Sequence, residues 1–189
     1  MQQFITAETV LGELTRTLAE TLRIEPDRIS PQSSIVDDLG AESLDFLDIN
    51  YRMEQIFGIR IARHFFLEHA EEMFGEGTVI DDDGLLTDRA IPLFERRFGH
   101  KPERLVAGMD MDEVPTLITV QSMVDGVMSI LETLPASCSC GATAWVCDGK
   151  LVTCGQCDQK ASYTNGDELT RRWLAQVDSG SGLLSGNTS

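Results

Sequence analysis

The chain has 189 residues, 42% of them hydrophobic, which is room for one ordinary domain plus a small module and enough apolar material to bury a core. Its 31 acids against 15 bases leave a net charge of −16, which repels phosphate backbones and anionic membrane surfaces, so the expected partners are basic protein surfaces and not nucleic acid. No apolar run is long enough to cross a bilayer, and the opening "MQQFITAET" lacks the basic stretch and apolar core of a secretory signal; a cytoplasmic location without membrane insertion is expected.

Thr6 is placed to cap a first helix whose apolar residues Val10, Leu11, Leu14, Leu18 and Leu22 recur at helical spacing and stop before Pro26. The stretch "EPDRISPQSSIVDDLG" holds two prolines and the turn-prone Gly40 and reads as a loop. A second helical pattern runs from Ser43 to about Phe57, with Gly58 as its stop. The long segment from Ile59 to Ile118 reads as ordered. It has a short helix in "RHFFLEHAEEMF" stopped by Gly75, a turn around "IDDDGLL", and a helix "TDRAIPLFERRF" from Thr87 or Asp88 with Pro92 in or just past its first turn. Single turns follow at "KPERL" and "MDMDEV". Thr119 caps a further helix carrying Met123, Val124, Val127, Ile130, Leu131 and Leu134. Asp167 is expected to cap a short final helix, "ELTRRWLAQV", whose Leu169, Trp173 and Leu174 pack on the preceding module or the helical domain while Arg171 and Arg172 stay in solvent.

Projected at 100° per residue, the helix from Ser43 has two apolar faces. Phe46, Ile49, Met53, Ile56 and Phe57 form the core face. Leu44, Leu47 and Tyr51 form a second, roughly opposite, edged by Asp45, Asp48 and Glu54. A small bundle does not bury both sides of a peripheral helix, so the second strip is expected to be a docking surface for a basic partner with an apolar groove. The other reading is that the long insertion covers it. Ser43 heads this helix, where backbone N–H groups and the macrodipole favour an anion, and Gly40 lets the loop turn tightly before it. From the residues alone, Ser43 reads as a plain helix cap or surface serine.

All five cysteines, Cys138, Cys140, Cys147, Cys154 and Cys157, fall within twenty residues. In a reducing compartment this favours metal over disulfides. Cys138-x-Cys140 and Cys154-x-x-Cys157 can converge on one tetrahedral zinc as thiolates, because the β-like runs "TAWVC" and "KLVTC", joined by Asp148-Gly149, form a hairpin that brings the pairs to one end. A redox Cys-x-x-Cys and free thiols are the alternatives. Cys147 lies beside the turn and is read as a structural thiol, with replacement of Cys138 or Cys140 as the other reading. The run from about Ser137 to Lys160 resembles a zinc ribbon, whose closed four-thiolate site has a structural role. His64, His69 and His100 are too scattered in sequence for a catalytic site and are expected to be surface or core residues. With no histidine evident near Ser43, a hydrolase is not expected.

The stretch "DDLGAESLDFLD" resembles the phosphopantetheine attachment motif of acyl carrier proteins: Leu39, Gly40, Ala41, Glu42, Ser43, Leu44 and Asp45 stand in the places of its Leu-Gly-x-Asp-Ser-Leu core, with Glu42 where the family usually has Asp. The opening helix, long loop, helix from Ser43, "FGIRI" and closing helix "ITVQSMVDGVMSIL" match the family's order over most of residues 4 to 134. The resemblance implies a mainly α protein: an acyl-carrier-like four-helix bundle over residues 1–134 with a helical insertion at 59–118. A zinc-ribbon-like module with a terminal helix would follow at 135–178, and a disordered tail at 179–189. It further implies that Ser43 carries 4'-phosphopantetheine installed from coenzyme A by a phosphopantetheinyl transferase, and that acyl groups ride on the arm as thioesters for a fatty-acid, lipid or polyketide pathway. The carrier itself would catalyse nothing. Its partners would be acyl-transferring or condensing enzymes with basic docking surfaces, received on Glu42, Leu44, Asp45, Leu47, Asp48, Tyr51 and Glu54. Acyl chains would fold back among Phe46, Ile49 and Met53, unless these are simply core. The enlarged insertion resembles that of specialised carriers serving unusual, often very long, acyl chains. A carrier-fold adaptor that never bears the arm and works through its ribbon and acidic strip is the alternative.

Overall fold

The structure, a computed structural model, describes residues 4–185. In chain order these form α1 (Ala7–Leu22), a 3-10 turn (Pro26–Arg28), α2 (Ser43–Phe57), α3 (Phe66–Phe74), α4 (Ala90–Phe98), a 3-10 stretch (Met111–Leu117), α5 (Val120–Leu131), the strands β1 (Trp145–Cys147) and β2 (Val152–Cys154), and α6 (Gly166–Ser181). The protein is mainly α with one small antiparallel hairpin. Among the described residues no helix is long and apolar enough to cross a membrane. The chain divides into two compact units, one made of residues up to Ile61 with Ile118–Gly166, the other of Ala62–Leu117 with the chain from Asp167 onward. This differs from the boundaries drawn on the sequence: the hairpin belongs with the carrier-like helices, and the terminal helix belongs with the insertion.

In the first unit α1 packs against α2 and α5. Thr6 caps α1 by accepting the Thr9 N–H at 3.2 Å, and Thr119 and Ser122 cap α5 reciprocally. Val10, Leu14 and Leu18 of α1 meet Ile49, Met53 and Phe57 of α2 and Val120, Val124 and Val127 of α5 in a closed apolar core. Gly58, at φ 68°, ends α2 in the left-handed conformation as expected, and a Cβ there would stand 2.7 Å from Leu151 of the hairpin. The hairpin pairs Trp145 with Cys154 and Cys147 with Val152. Its turn falls one residue later than the Asp-Gly signal suggests. Asp148 N–H donates to the Leu151 carbonyl at 3.2 Å, so Gly149, at φ 103°, and Lys150 are the central pair. The Asp148 carboxylate accepts the N–H groups of Lys150 and Leu151, which is why aspartate precedes the glycine here.

In the second unit α3, α4 and α6 enclose Phe66, Leu67, Leu93, Phe94, Leu105 and Leu174. Phe66 meets Phe94 and Trp173 edge-on, with centroids 4.9 and 5.8 Å apart. Pro92 sits in the first turn of α4, where its missing N–H has no intrahelical partner to lose. The "IDDDGLL" turn closes through an Ile80–Leu86 bridge and the Gly84 N–H on the Asp81 carbonyl. Two expectations change here and one is narrowed. The final helix is longer than its ten-residue pattern and starts at Gly166. Of the two partners expected for Leu174 and Trp173, it is the helical domain that receives them, through its insertion. The part of the expected disordered tail that is described is held in place: α6 continues to Ser181, Leu184 is buried, and Asp178 accepts the N–H groups of Leu184 and Ser185. The rest of that stretch, 186–189, lies outside the described residues.

Candidate functional site: an exposed serine and a four-thiol cluster

The loop before α2 is pinned to the start of α5. Ile35 N–H donates to the Ile118 carbonyl and Val120 N–H to the Ser33 carbonyl, while Ile35, Leu39 and Ala41 are buried. Gly40 turns the chain at φ 75°, a conformation in which a Cβ is strained, and delivers it to the helix. The N-cap is Glu42, not Ser43. The Asp45 carboxylate accepts the Glu42 N–H at 2.8 Å, and Ser43 is the first residue inside α2. The serine is solvent-exposed. Its hydroxyl therefore stands at the positive end of the helix without serving as the cap.

Behind it the second apolar strip is open: Leu44, Leu47 and Tyr51 are 77%, 62% and 59% exposed. Phe46 is half-buried and Ile49 and Met53 are fully buried, so those two are core. The flanking acids differ in availability. Glu42 is exposed and Asp45 half-buried. Asp48 accepts Thr21 Oγ1 and pairs with Arg52 Nε, both at 2.9 Å, and Arg52 reaches on to Glu20 at 3.0 Å. Glu54 must be struck from the docking surface. It is 2% exposed, with its carboxylate accepting the Ile61 N–H at 2.9 Å and lying 3.5 Å from Arg60, because the chain leaving α2 folds back over it.

The cysteine pairs converge as their spacing predicts. Gly141 N–H closes a tight turn on the Cys138 carbonyl, and Asp158 N–H closes another on that of Cys154. Antiparallel pairing sets these turns side by side, with the Sγ atoms of Cys138, Cys140, Cys154 and Cys157 all within 4.8 Å of one another. Cys138 to Cys157 is 3.7 Å and Cys140 to Cys154 is 3.6 Å. A disulfide needs about 2.05 Å. The edge of a tetrahedron of ~2.3 Å metal–sulfur bonds is about 3.8 Å, so the four thiols fit a zinc ion. The Cys140 N–H draws the Cys138 thiol down to about 6 against the effect of burial. At Cys157 the downward pull of the Gln159 N–H is outweighed by the neighbouring thiols and burial, which push it up to about 12. A dication at the centre favours the thiolate at all four. Cys147 is half-buried in β1 and lies outside the cluster, so it replaces none of the four.

Sequence spacing misses a third cluster, in the second unit. His69, fully buried, places Nε2 2.9 Å from Asp167 Oδ1 and Nδ1 3.5 Å from Glu72, which in turn binds Arg171 at 3.1 Å. Asp167 therefore does not cap α6. Its Oδ1 also accepts the N–H groups of Arg63 and His64. The only forewarning was a histidine on the apolar stripe of α3, between Phe66 and Ala70. Arg172 pairs with Glu168 on its own helix.

A phosphopantetheine attachment site profile matches residues 12–71, which contain Ser43, its helix and its loop. An acyl carrier protein, AcpXL, of Mesorhizobium japonicum is 36% identical over 75 residues, 40% of this chain and 76% of that protein. The AcpXL of Brucella melitensis is 45% identical over 62 residues, 33% of this chain and 62% of its own length. An acyl carrier protein of Coprothermobacter proteolyticus is 34% identical over 55 residues, 29% and 67%. No solved structure matches the chain. With three quarters of a curated carrier matched at 36% identity, and the attachment-site profile spanning Ser43 and its helix, the chain belongs to the acyl carrier protein family.

Proposed function

We propose that Ser43 bears 4'-phosphopantetheine and that the chain presents acyl groups to the enzymes of a dedicated fatty-acid, lipid or polyketide pathway in the cytoplasm. Members of the family are carriers and not enzymes, and they meet a phosphopantetheinyl transferase and acyl-handling enzymes. The arm supplies a thiol that holds the acyl group as a thioester. This chain's own part is positional. α2 offers its N-terminal N–H groups to the phosphodiester, Gly40 and the pinned loop hold the serine outward, and the Glu42–Asp45 cap leaves the hydroxyl oxygen accessible. Leu44, Leu47 and Tyr51, with Glu42, Asp45 and Asp48 beside them, form the surface met by basic, apolar-grooved partners. Tethering raises the effective concentration of the acyl group at each partner.

The observation that carries this reading is the exposed Ser43 at the first position of a helix whose cap is made by other residues. Incubation with a phosphopantetheinyl transferase and coenzyme A is expected to add one phosphopantetheine to the wild-type chain and none to Ser43→Ala. Equal addition to both, or to neither, sinks it, and the latter result favours the arm-free adaptor, which Glu42 in the usual place of Asp also suits. Cys138, Cys140, Cys154 and Cys157 would hold a structural zinc ion with no ligand position left for substrate. Elemental analysis is expected to find one zinc per chain, lost when Cys154 and Cys157 are both changed to Ser.

A further inference from the structure

The ribbon meets the carrier-like bundle at its turn and again through Trp145 of β1. Leu151 closes on Gly58 at the end of α2, and Lys150 Nζ lies 2.6 Å from Oε1 of Glu13 on α1, a side chain only 14% exposed. Near the thiol end, Trp145 Nε1 donates to the Pro135 carbonyl just beyond α5, and Thr164 N–H donates to Thr133 Oγ1. One hairpin thus touches α1, the C-terminus of α2 and the exit of α5. Val152 and Cys154 of β2 are both almost completely buried. At ~1.5 Å per residue, this foot of α2 lies about 20 Å from Ser43, so the ribbon meets α2 at the end opposite the serine.

What gives the hairpin its shape is the cluster at its far end. Its strands have three residues each, with one further bridge from Thr153 to Lys160. A two-stranded hairpin of that size is not stable alone in water. Four thiolates on one ion supply folding free energy to a small module that its apolar burial does not.

We infer that the ion in the cysteine cluster is a keystone of the carrier bundle: metal loading and the packing of α1, α2 and α5 form one cooperative unit, so loss of the ion loosens the helix that presents Ser43. This rests on the zinc reading above, and the test separates the two. Elemental analysis of the full chain under reducing conditions comes first. Hydrogen exchange read by mass spectrometry is then compared between loaded protein and protein treated with a zinc chelator. Exchange in peptides spanning 7–22, 43–57 and 120–131 is expected to rise at least ten-fold on chelation. A rise confined to 138–163 overturns the inference while leaving the zinc site standing, and absence of zinc removes both. With zinc retained, Leu151→Asp is expected to raise exchange at the end of α2 and in α1; unchanged exchange there overturns the coupling through the turn.

Discussion

Changing Asp167 to Ala tests the clasp between α3 and α6. Its Oδ1 accepts two backbone N–H groups, from Arg63 and His64, and faces His69 Nε2 at 2.9 Å. Arg63 and His64 are exposed, so water replaces the lost acceptor there and each bond is worth about 0.5 kcal/mol. His69 is fully buried, and an unpartnered ring nitrogen there costs about 1–3 kcal/mol. The sum is about 2–4 kcal/mol, which for a unit of this size lowers Tm by on the order of 10–30 °C. Asp167→Asn keeps an acceptor oxygen and is expected to lose less than half as much. Calorimetry, with hydrogen exchange at 66–74 to assign the transition, reads both. If Asp167→Ala melts within about 3 °C of the parent, the clasp does not hold the unit and the reasoning is wrong.

Replacing Leu47 or Tyr51 by Glu is expected to leave Tm within about 2 °C, since both side chains are already in water, while weakening association with acyl-handling partners at least ten-fold by surface plasmon resonance. Glu54→Ala should do the reverse, lowering denaturant stability by about 1–3 kcal/mol as the Ile61 N–H loses its acceptor, with partner affinity unchanged. Asp45→Ala removes the acceptor of the Glu42 N–H and is expected to destabilise α2 by about 1 kcal/mol, seen as faster exchange in its first turn. Acid should loosen the α3–α6 clasp. Arg171 holds the Glu72 carboxyl below its usual range. At Asp167, burial acts upward but is outweighed by His69 and the two N–H donors, which also leave that carboxyl depressed. A depressed carboxyl contributes stability above its unfolded value and loses it as pH falls through the folded one, so the loss is expected below about pH 4. Asp167→Asn should flatten that limb in a melt series from pH 6 to pH 2.

The features legible in the sequence are those fixed by neighbours a few residues apart. The Thr6 and Thr119 caps, the Gly58 stop, the two faces of α2 and the two cysteine pairs all follow from helical or hairpin periodicity. The features missed depend on how the chain turns back on itself, near or far. Glu54 stands at the border of an exposed face by its angle on the helix, but the segment through Ile61, just past α2, folds back to cover it. Asp167 has the chemistry of a cap, yet its donors lie about a hundred residues earlier, and no local pattern marks them. The final helix has an apolar side that the sequence shows, but the aromatic cluster of Phe66 and Phe94 that receives it is disclosed only by the fold. At Ser43 the residues alone read as a plain cap or a surface serine, and the fold makes the cap one residue earlier with the Glu42–Asp45 pair, leaving the serine at the surface.

The division of the chain fixes an order of events during its synthesis. The backbone passes between the two units three times, and each unit is completed late in the sequence: the first by α5 and the hairpin that follows it, the second by Leu174 and Val177 of α6. When a ribosome has released the first hundred residues, both apolar cores are still open. At ~5–20 residues per second they stay so for several seconds more, while chaperones have access to them. A stop codon after Leu134 would therefore not yield a trimmed carrier with an intact insertion, because the inserted helices would be left permanently without the one that closes them.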